Sequence, residues 1–170
     1  MAMIRENKNI VPGDELWLFV GEYDDTKTID QQTANPVAFA TQHSLSRSLS
    51  TTSVSSKDHG NTSYTIPGEG SWTATTESLY SVDGFTTLND LFSDSKKVYV
   101  QFGKIDQTVG SGIVDKEDAT EWTMTEDYLY GAGYLTSLQA SGGHGDSASF
   151  SAEITGVGPL FSYSYSYAGN

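Results

Sequence analysis

The sequence predicts a mainly β domain, an antiparallel β-sandwich or barrel-like sheet pair with one flanking α-helix at about Gly84–Ser95 and a long extended loop at about Ser46–Gly70. Three observations carry that expectation. The composition is that of a turn-rich β chain, with 17 Gly, 10 Tyr, abundant Ser and Thr, and only 18% charged residues. Apolar and polar residues alternate through most of the chain, which is the side-chain period of a strand. The period changes to that of a helix at one place, after Tyr80. At 170 residues the chain suits a single domain, 1–170, and folding a chain of that size buries about 70% of its unfolded surface.

The elements follow in order. In ELWLFVG, Leu16, Leu18 and Val20 face one way and Trp17 and Phe19 the other, as in a strand covered on both sides. PVAFATQHSLSRSL places Val37, Phe39, Thr41 and Leu45 on one side, together with His43, and Pro36 marks the strand start. From Ser46 to Gly70 a dense Ser/Thr run contains little apolar content beyond Leu49, Val54, Tyr64 and Ile66, and it reads as a long extended loop or hairpin. A connection that long is a functional segment, one that orders on contact, or a plain surface loop. SWTATTESLY then alternates Trp72, Ala74, Thr76 and Tyr80.

Asp83 is placed to cap the helix GFTTLNDLFSDS, whose Phe85, Leu88, Leu91 and Phe92 form one apolar stripe. Lys96 and Lys97 lie past its end, where cations complement the helix dipole. KVYVQFGK points Val98, Val100 and Phe102 inward and Tyr99 and Gln101 outward. A polar excursion from Asp106 to Glu121 follows. The long alternating run from Tyr128 to Ser141, the Gly-rich turn Gly142 to Asp146, and the strand of Ala148, Phe150, Ala152 and Ile154 make a hairpin. The tail FSYSYSYAGN, residues 161–170, continues the alternation at Phe161, Tyr163, Tyr165 and Tyr167.

Composition also excludes functions. The absence of cysteine removes disulfides and thiolate metal sites. The N-terminus turns charged almost at once, and the early apolar run Leu16 to Val20 is far below the roughly 18 residues of a membrane span, so the chain reads as soluble and not exported. A formal net charge of −13 opposes phosphate neutralisation. His43, His59 and His144 lie in separate segments with Asp58 and Asp146 and lack tight metal-ligand spacing. Glu22-Tyr23-Asp24-Asp25 and Asp115-Lys116-Glu117-Asp118 lack the ligand alternation of a calcium loop. With no phosphate loop, nucleophile elbow or dinucleotide fingerprint, the sequence predicts no enzyme, no cofactor and no metal.

An ordered set of short motifs carries a resemblance. A strand leads into a long loop with the pair Lys57-Asp58, then Pro67-Gly68, then a strand opening with Ser71-Trp72 and ending in Leu79-Tyr80. A short helix, a strand opening with Lys97-Val98 and a closing Gly156-Val157-Gly158-Pro159-Leu160 complete the set. In this order and spacing, over about residues 37–160, the chain resembles the major tail tube proteins of long-tailed bacteriophages. It departs from them in the insertion 106–121, with the added strand start at Trp122, and in the Ser/Tyr tail.

The resemblance implies a virion protein that self-assembles into rings, commonly of six, stacked into a hollow tube through which phage DNA passes without specific binding. Its implied partners are further copies of itself and the tape measure, distal tail and tail terminator proteins, with no membrane. Its implied location is the phage tail, assembled in the host bacterial cytoplasm. Candidate inter-subunit contacts are Leu49, Val54, Lys57, Asp58, Tyr64 and Ile66 in the long segment and Tyr163 and Tyr165 in the tail. The acidic balance suits a wall that repels DNA, and equally suits plain solubility. Two alternatives stand beside this reading. One is the tube of a contractile injection or secretion system; the other is a carbohydrate-binding β-sandwich offering Trp17, Trp72, Trp122 and tyrosines as stacking surfaces.

Overall fold

A computed structural model describes residues 11–37, 39–55, 57–60, 62–106, 123–124 and 128–163. The expected excursion after Asp106, the Trp122 strand start and Tyr165 and Tyr167 lie outside them. In chain order the strands are β1 (Leu16–Glu22), β2 (Asn35–Pro36), β3 (Ala40–Val54) and β4 (Tyr64–Leu79), followed by helix α1 (Val82–Ser93). Then come β5 (Lys97–Asp106), β6 (Thr123–Met124), β7 (Tyr128–Ser141), β8 (Ser149–Gly156) and β9 (Phe161–Tyr163). All pairings are antiparallel along one path, β2-β1-β5-β7-β8-β4-β3, with β6 added to β5 and β9 to β7. The expected sheet pair is thus one continuous sheet that curls until β1 meets β3, where the rings of Trp17 and His43 lie 5.2 Å apart.

The curl encloses a core built from the alternation read in the sequence. Leu18 and Val20, Val98 and Val100, Trp72 and Ala74, and Phe150, Ala152 and Ile154 all bury against it. Leu88 and Leu91 of α1 close the open side. The second face of β1 and β5 is covered too: Phe19 and Tyr99 are each 2% exposed. Tyr99, expected to face outward, is therefore inside. Ala34 of the segment between β1 and β2 packs on the cluster of Phe19 and Ile105. Gln32 organises that segment, donating to the Asp24 and Lys27 carbonyls at 2.7 and 3.2 Å and accepting from the Asp24 amide at 2.8 Å.

Two local expectations are corrected and a third is narrowed. The helix starts at Val82, so Ser81, not Asp83, is its N-cap, accepting from the Gly84 amide at 3.3 Å. Asp83 falls in the first turn, where its charge faces the positive end of the helix dipole. Phe39 lies in a turn at φ 55° and is exposed, and a bulge between Ala40 and Gln42 then aims His43 and Leu45 inward and leaves Thr41 outside. Of the two forms expected for Ser46–Gly70, an extended loop or a hairpin, the structure has the hairpin, strand along most of its length, with β3 and β4 paired out to Val54 and Tyr64. With both faces of that ribbon exposed, no hydrophobic alternation announces it.

The helix stripe is narrower than its spacing suggests. Leu88 and Leu91 are 5% and 7% exposed, whereas Phe92 is 41% exposed because it sits one residue, about 100°, around the helix from Leu91. Leu88→Ala is expected to cost about 3 kcal/mol of unfolding free energy and Phe92→Ala less than about 1 kcal/mol. Denaturant unfolding of the two variants side by side checks the assignment.

Candidate assembly surface

The hairpin of β3 and β4 leaves the body of the protein. Inside the body β4 is flanked by β3 and β8, but its pairing with β8 stops at Thr73↔Thr155. Beyond that point β3 is the one strand neighbour of β4 among the described residues, and every described residue of the hairpin from Ser46 to Ser71 whose burial is defined is exposed. From Leu49 and Gly70 out to Val54 and Tyr64 the arm is about 20 Å long at roughly 3.4 Å per residue. Its tip carries Lys57 and Asp58 in a single 3-10 turn.

Hydroxyls lace the ribbon together. Ser48 and Ser71 share a hydrogen bond of 2.7 Å, Ser50 donates to the Glu69 carbonyl at 3.1 Å, and Ser44 bonds Thr75 nearer the body. A register shift between Leu49 and Thr51 adds one residue to β4. Tyr64 and Ile66 consequently share a face with Val54, opposite the face that runs from Leu45 to Leu49. Gly68 allows the close approach at this bulge, since a Cβ there would overlap the Ser50 side chain.

The arm is apolar where a solvated ribbon would be polar. Leu49, Val54, Tyr64 and Ile66 are 58%, 44%, 53% and 51% exposed. A two-stranded ribbon is at best marginally stable in water, and its edges are open to further strands. The structure thus gathers Val54, Tyr64 and Ile66 of the sequence-derived candidates onto one face, puts Leu49 on the other and leaves Lys57 and Asp58 at the tip.

At the root of the arm a groove of about 870 Å³ opens between Arg47, Leu49, Glu69, Trp72, Pro159 and Leu160. Trp72 forms its floor and donates from Nε1 to the Gly158 carbonyl at 3.3 Å. The closing Gly156-Val157-Gly158-Pro159-Leu160 motif has a physical reading here. Gly158 turns the chain at φ 80°, and Gly156 leaves no room for a Cβ against the Trp72 indole.

Tyr163, the described candidate of the tail, belongs to a second aromatic surface. Among the described residues β9 pairs with β7, stacking Tyr163 on Tyr128 at 4.8 Å and 17° and Phe161 on Tyr130 at 5.5 Å and 25°. Sequence reasoning saw the alternation in this tail, not the ladder it forms with β7. Each ring of a stacked pair covers one face of the other, and Trp72, one of the rings the sugar-binding alternative offers, lies in the core at 3% exposure. Among the described residues no group of three or more His, Asp or Glu is placed to hold a metal ion.

His43 is the unusual group of the body. Both ring nitrogens are buried without a hydrogen-bond partner among the described residues, and burial depresses its pKa from 6.5 to about 4. The unfolded chain binds this proton near pH 6.5 and the folded chain only near 4, so stability is full above 6.5 and is lost as pH falls towards 4. The loss expected is on the order of 3 kcal/mol, and His43→Phe should remove that part of the pH dependence. Unfolding midpoints of both proteins at pH 7, 5.5 and 4 test this.

With this geometry the likeness to known structures becomes readable. No family model matches the sequence, and no curated protein matches it. Solved structures do match. A chain from the tail of an empty gene transfer agent (GTA) particle, refined with C6 symmetry, superposes with a TM-score of 0.65 at 17% identity, over 91% of this chain and 100% of that one. The SPP1 tail tube gives 0.62 at 13% identity, over 91% and 80%. The protein has the tail tube fold. That fold also extends to a chain of the baseplate of the anti-feeding prophage, at a TM-score of 0.58 and 7% identity over 89% and 94% of the two chains. The tail tube resemblance read from residues 37–160 is therefore matched in the fold, and at identities this low the evidence of likeness lies in architecture.

Proposed function

We propose that this protein is the structural subunit of a bacteriophage-type tail tube, a virion protein that polymerises into stacked rings enclosing a channel for DNA. The observation that carries the proposal is an exposed apolar arm on a tail tube fold. An arm that contributes nothing to its own core contributes to a neighbour's surface, and stacking requires two different complementary surfaces on one subunit. The C6 symmetry of the similar gene transfer agent tail supports rings of six. A chain of net charge −13 keeps passing DNA mobile instead of bound.

The work is assembly, so the reading assigns no catalytic residue and no cofactor; tape measure, distal tail and terminator proteins complete the partners. No described helix is long and apolar enough to cross a membrane. The likeness to the anti-feeding prophage baseplate favours a second reading, the tube of a contractile injection system with another cargo. Negative-stain electron microscopy of the concentrated protein, with its solution mass, tests both. Rings or hollow tubes are expected, and a strict monomer at every concentration overturns the proposal.

A further inference from the structure

The curled sheet has two borders, and they meet without a ladder. β1 is paired with β5 along its whole length, and β3 is paired with β4 from Ala40 outward. β2 reaches only Phe19 and Val20 of β1, so the stretch that holds Trp17 faces β3 directly. Among the described residues no backbone hydrogen bond joins β1 to β3. The chain passes from one border to the other through Phe39, at a φ of 55° that a bulky residue rarely adopts. Parting the borders therefore breaks no strand pair. Side chains close this seam: the rings of Trp17 and His43 in contact, and Leu45 packed on the core two residues further along β3.

His43 is the weak point of that closure. Its neighbour across the ladder is Thr76, which is 2% exposed and shares a hydrogen bond of 3.4 Å with Ser78, itself 1% exposed. Neither ring nitrogen of His43 has a partner among the described residues. No nearby charge offsets a proton there. On the elements around it Glu15 pairs with Lys104 at 3.3 Å and Glu22 with Lys96 at 3.0 Å, whereas Asp14, Arg47, Glu69 and Glu77 are exposed. The neutral imidazole packs as an aromatic side chain against Trp17. The imidazolium is a cation buried without an acceptor, and it is relieved by reaching water.

We propose that His43 is an acid-sensitive latch of the β1–β3 seam, whose protonation parts the two borders while the β1–β5 and β3–β4 ladders stay formed. The sign follows from burial, which is the whole cause of its depressed pKa. In the opened seam the ring binds a proton near the ordinary 6.5, and in the closed seam only near 4. Closure is thus fully favoured above 6.5 and loses that advantage as pH falls towards 4. Such an opening is sub-global, distinct from complete unfolding. It uncovers Trp17 and frees the outer edges of β1 and β3, and unpaired edges are templates for other strands. Both borders belong to one chain, so the inference stands apart from the tube reading.

Hydrogen exchange of the dilute, unassembled protein at pH 7 and 4.5 tests it, with protection corrected for the intrinsic effect of pH. Residues 16–18 and 40–46 are expected to lose protection by about tenfold or more relative to residues 98–100 and 150–154. His43→Phe, which keeps an aromatic ring and removes the proton site, should hold the seam within about threefold of its protection at pH 7. NMR titration of the His43 ring in the unsubstituted protein provides a readout that needs no variant. Its midpoint should coincide with that of the loss of seam protection. Protection lost evenly over the whole sheet, no loss at the seam, the same loss in His43→Phe, or a ring that titrates while the seam stays protected overturns the inference. None of these results bears on whether the protein forms tubes.

Discussion

Replacing Ser50–Glu69 by a two-residue Asn-Gly turn is expected to yield a folded monomer that forms no tubes at any concentration. Leu49 and Gly70 are direct partners across β3 and β4, so a tight type I′ turn can close the hairpin there without disturbing the pairs nearer the body. No described residue between them belongs to the core. The unfolding temperature should therefore move by no more than a few degrees, because surface changes away from core and caps stay within about 0.5 kcal/mol. Assembly should be lost altogether, since the deleted segment holds Val54, Tyr64, Ile66 and Lys57. Sedimentation and electron microscopy at a concentration where the full chain polymerises decide the matter. Normal tubes from the shortened chain would show that the arm is ornamental and would remove the main support of the proposed function.

The same ribbon explains what was legible in the sequence and what was not. Where a strand has one face in the core, alternation announces it, and Trp72, Ala74, Phe150, Ala152 and Ile154 all lie where that pattern put them. The arm has no buried face, so its Ser/Thr-rich strands carry no such signal, although the same residues, Leu49, Val54, Tyr64 and Ile66, stood out as an apolar excess in a polar segment. Tyr99 was misplaced for the opposite reason. Its outward face of the sheet is covered too: on the neighbouring strand Phe19 of that face packs with Ala34 of the irregular segment between β1 and β2, and a cover of that kind leaves no period to read. Phe92 shows that spacing alone cannot set the width of a helix stripe; the sheet it faces does. The cleft of about 520 Å³ between α1 and the paired β1 and β2 was not legible at all. Its floor and rim come from β1, β2 and α1, which the sequence separates and the fold joins.

The largest loss of stability is expected at Trp72. Its side chain is 3% exposed, crosses the core between Gly131 and Gly156, and holds the Gly158 turn through its Nε1 hydrogen bond. Trp72→Ala removes the largest side chain of the core and leaves the turn carbonyl unpaired, so it should cost about 4 kcal/mol. For a domain whose whole stability is of order 5–15 kcal/mol, much of it would be gone. Gly156→Ala attacks the same contact from the other side. Its Cβ would occupy the space of the indole, and the displaced ring or backbone should cost about 2 kcal/mol. Because the overlap vanishes once the indole is absent, the double variant should lose clearly less than the sum of the two, a coupling of about 1 kcal/mol or more. Guanidinium unfolding of the two single variants and the double variant, at dilutions below assembly, measures it. Strict additivity would mean that Gly156 is required for its backbone conformation and not for the approach of Trp72.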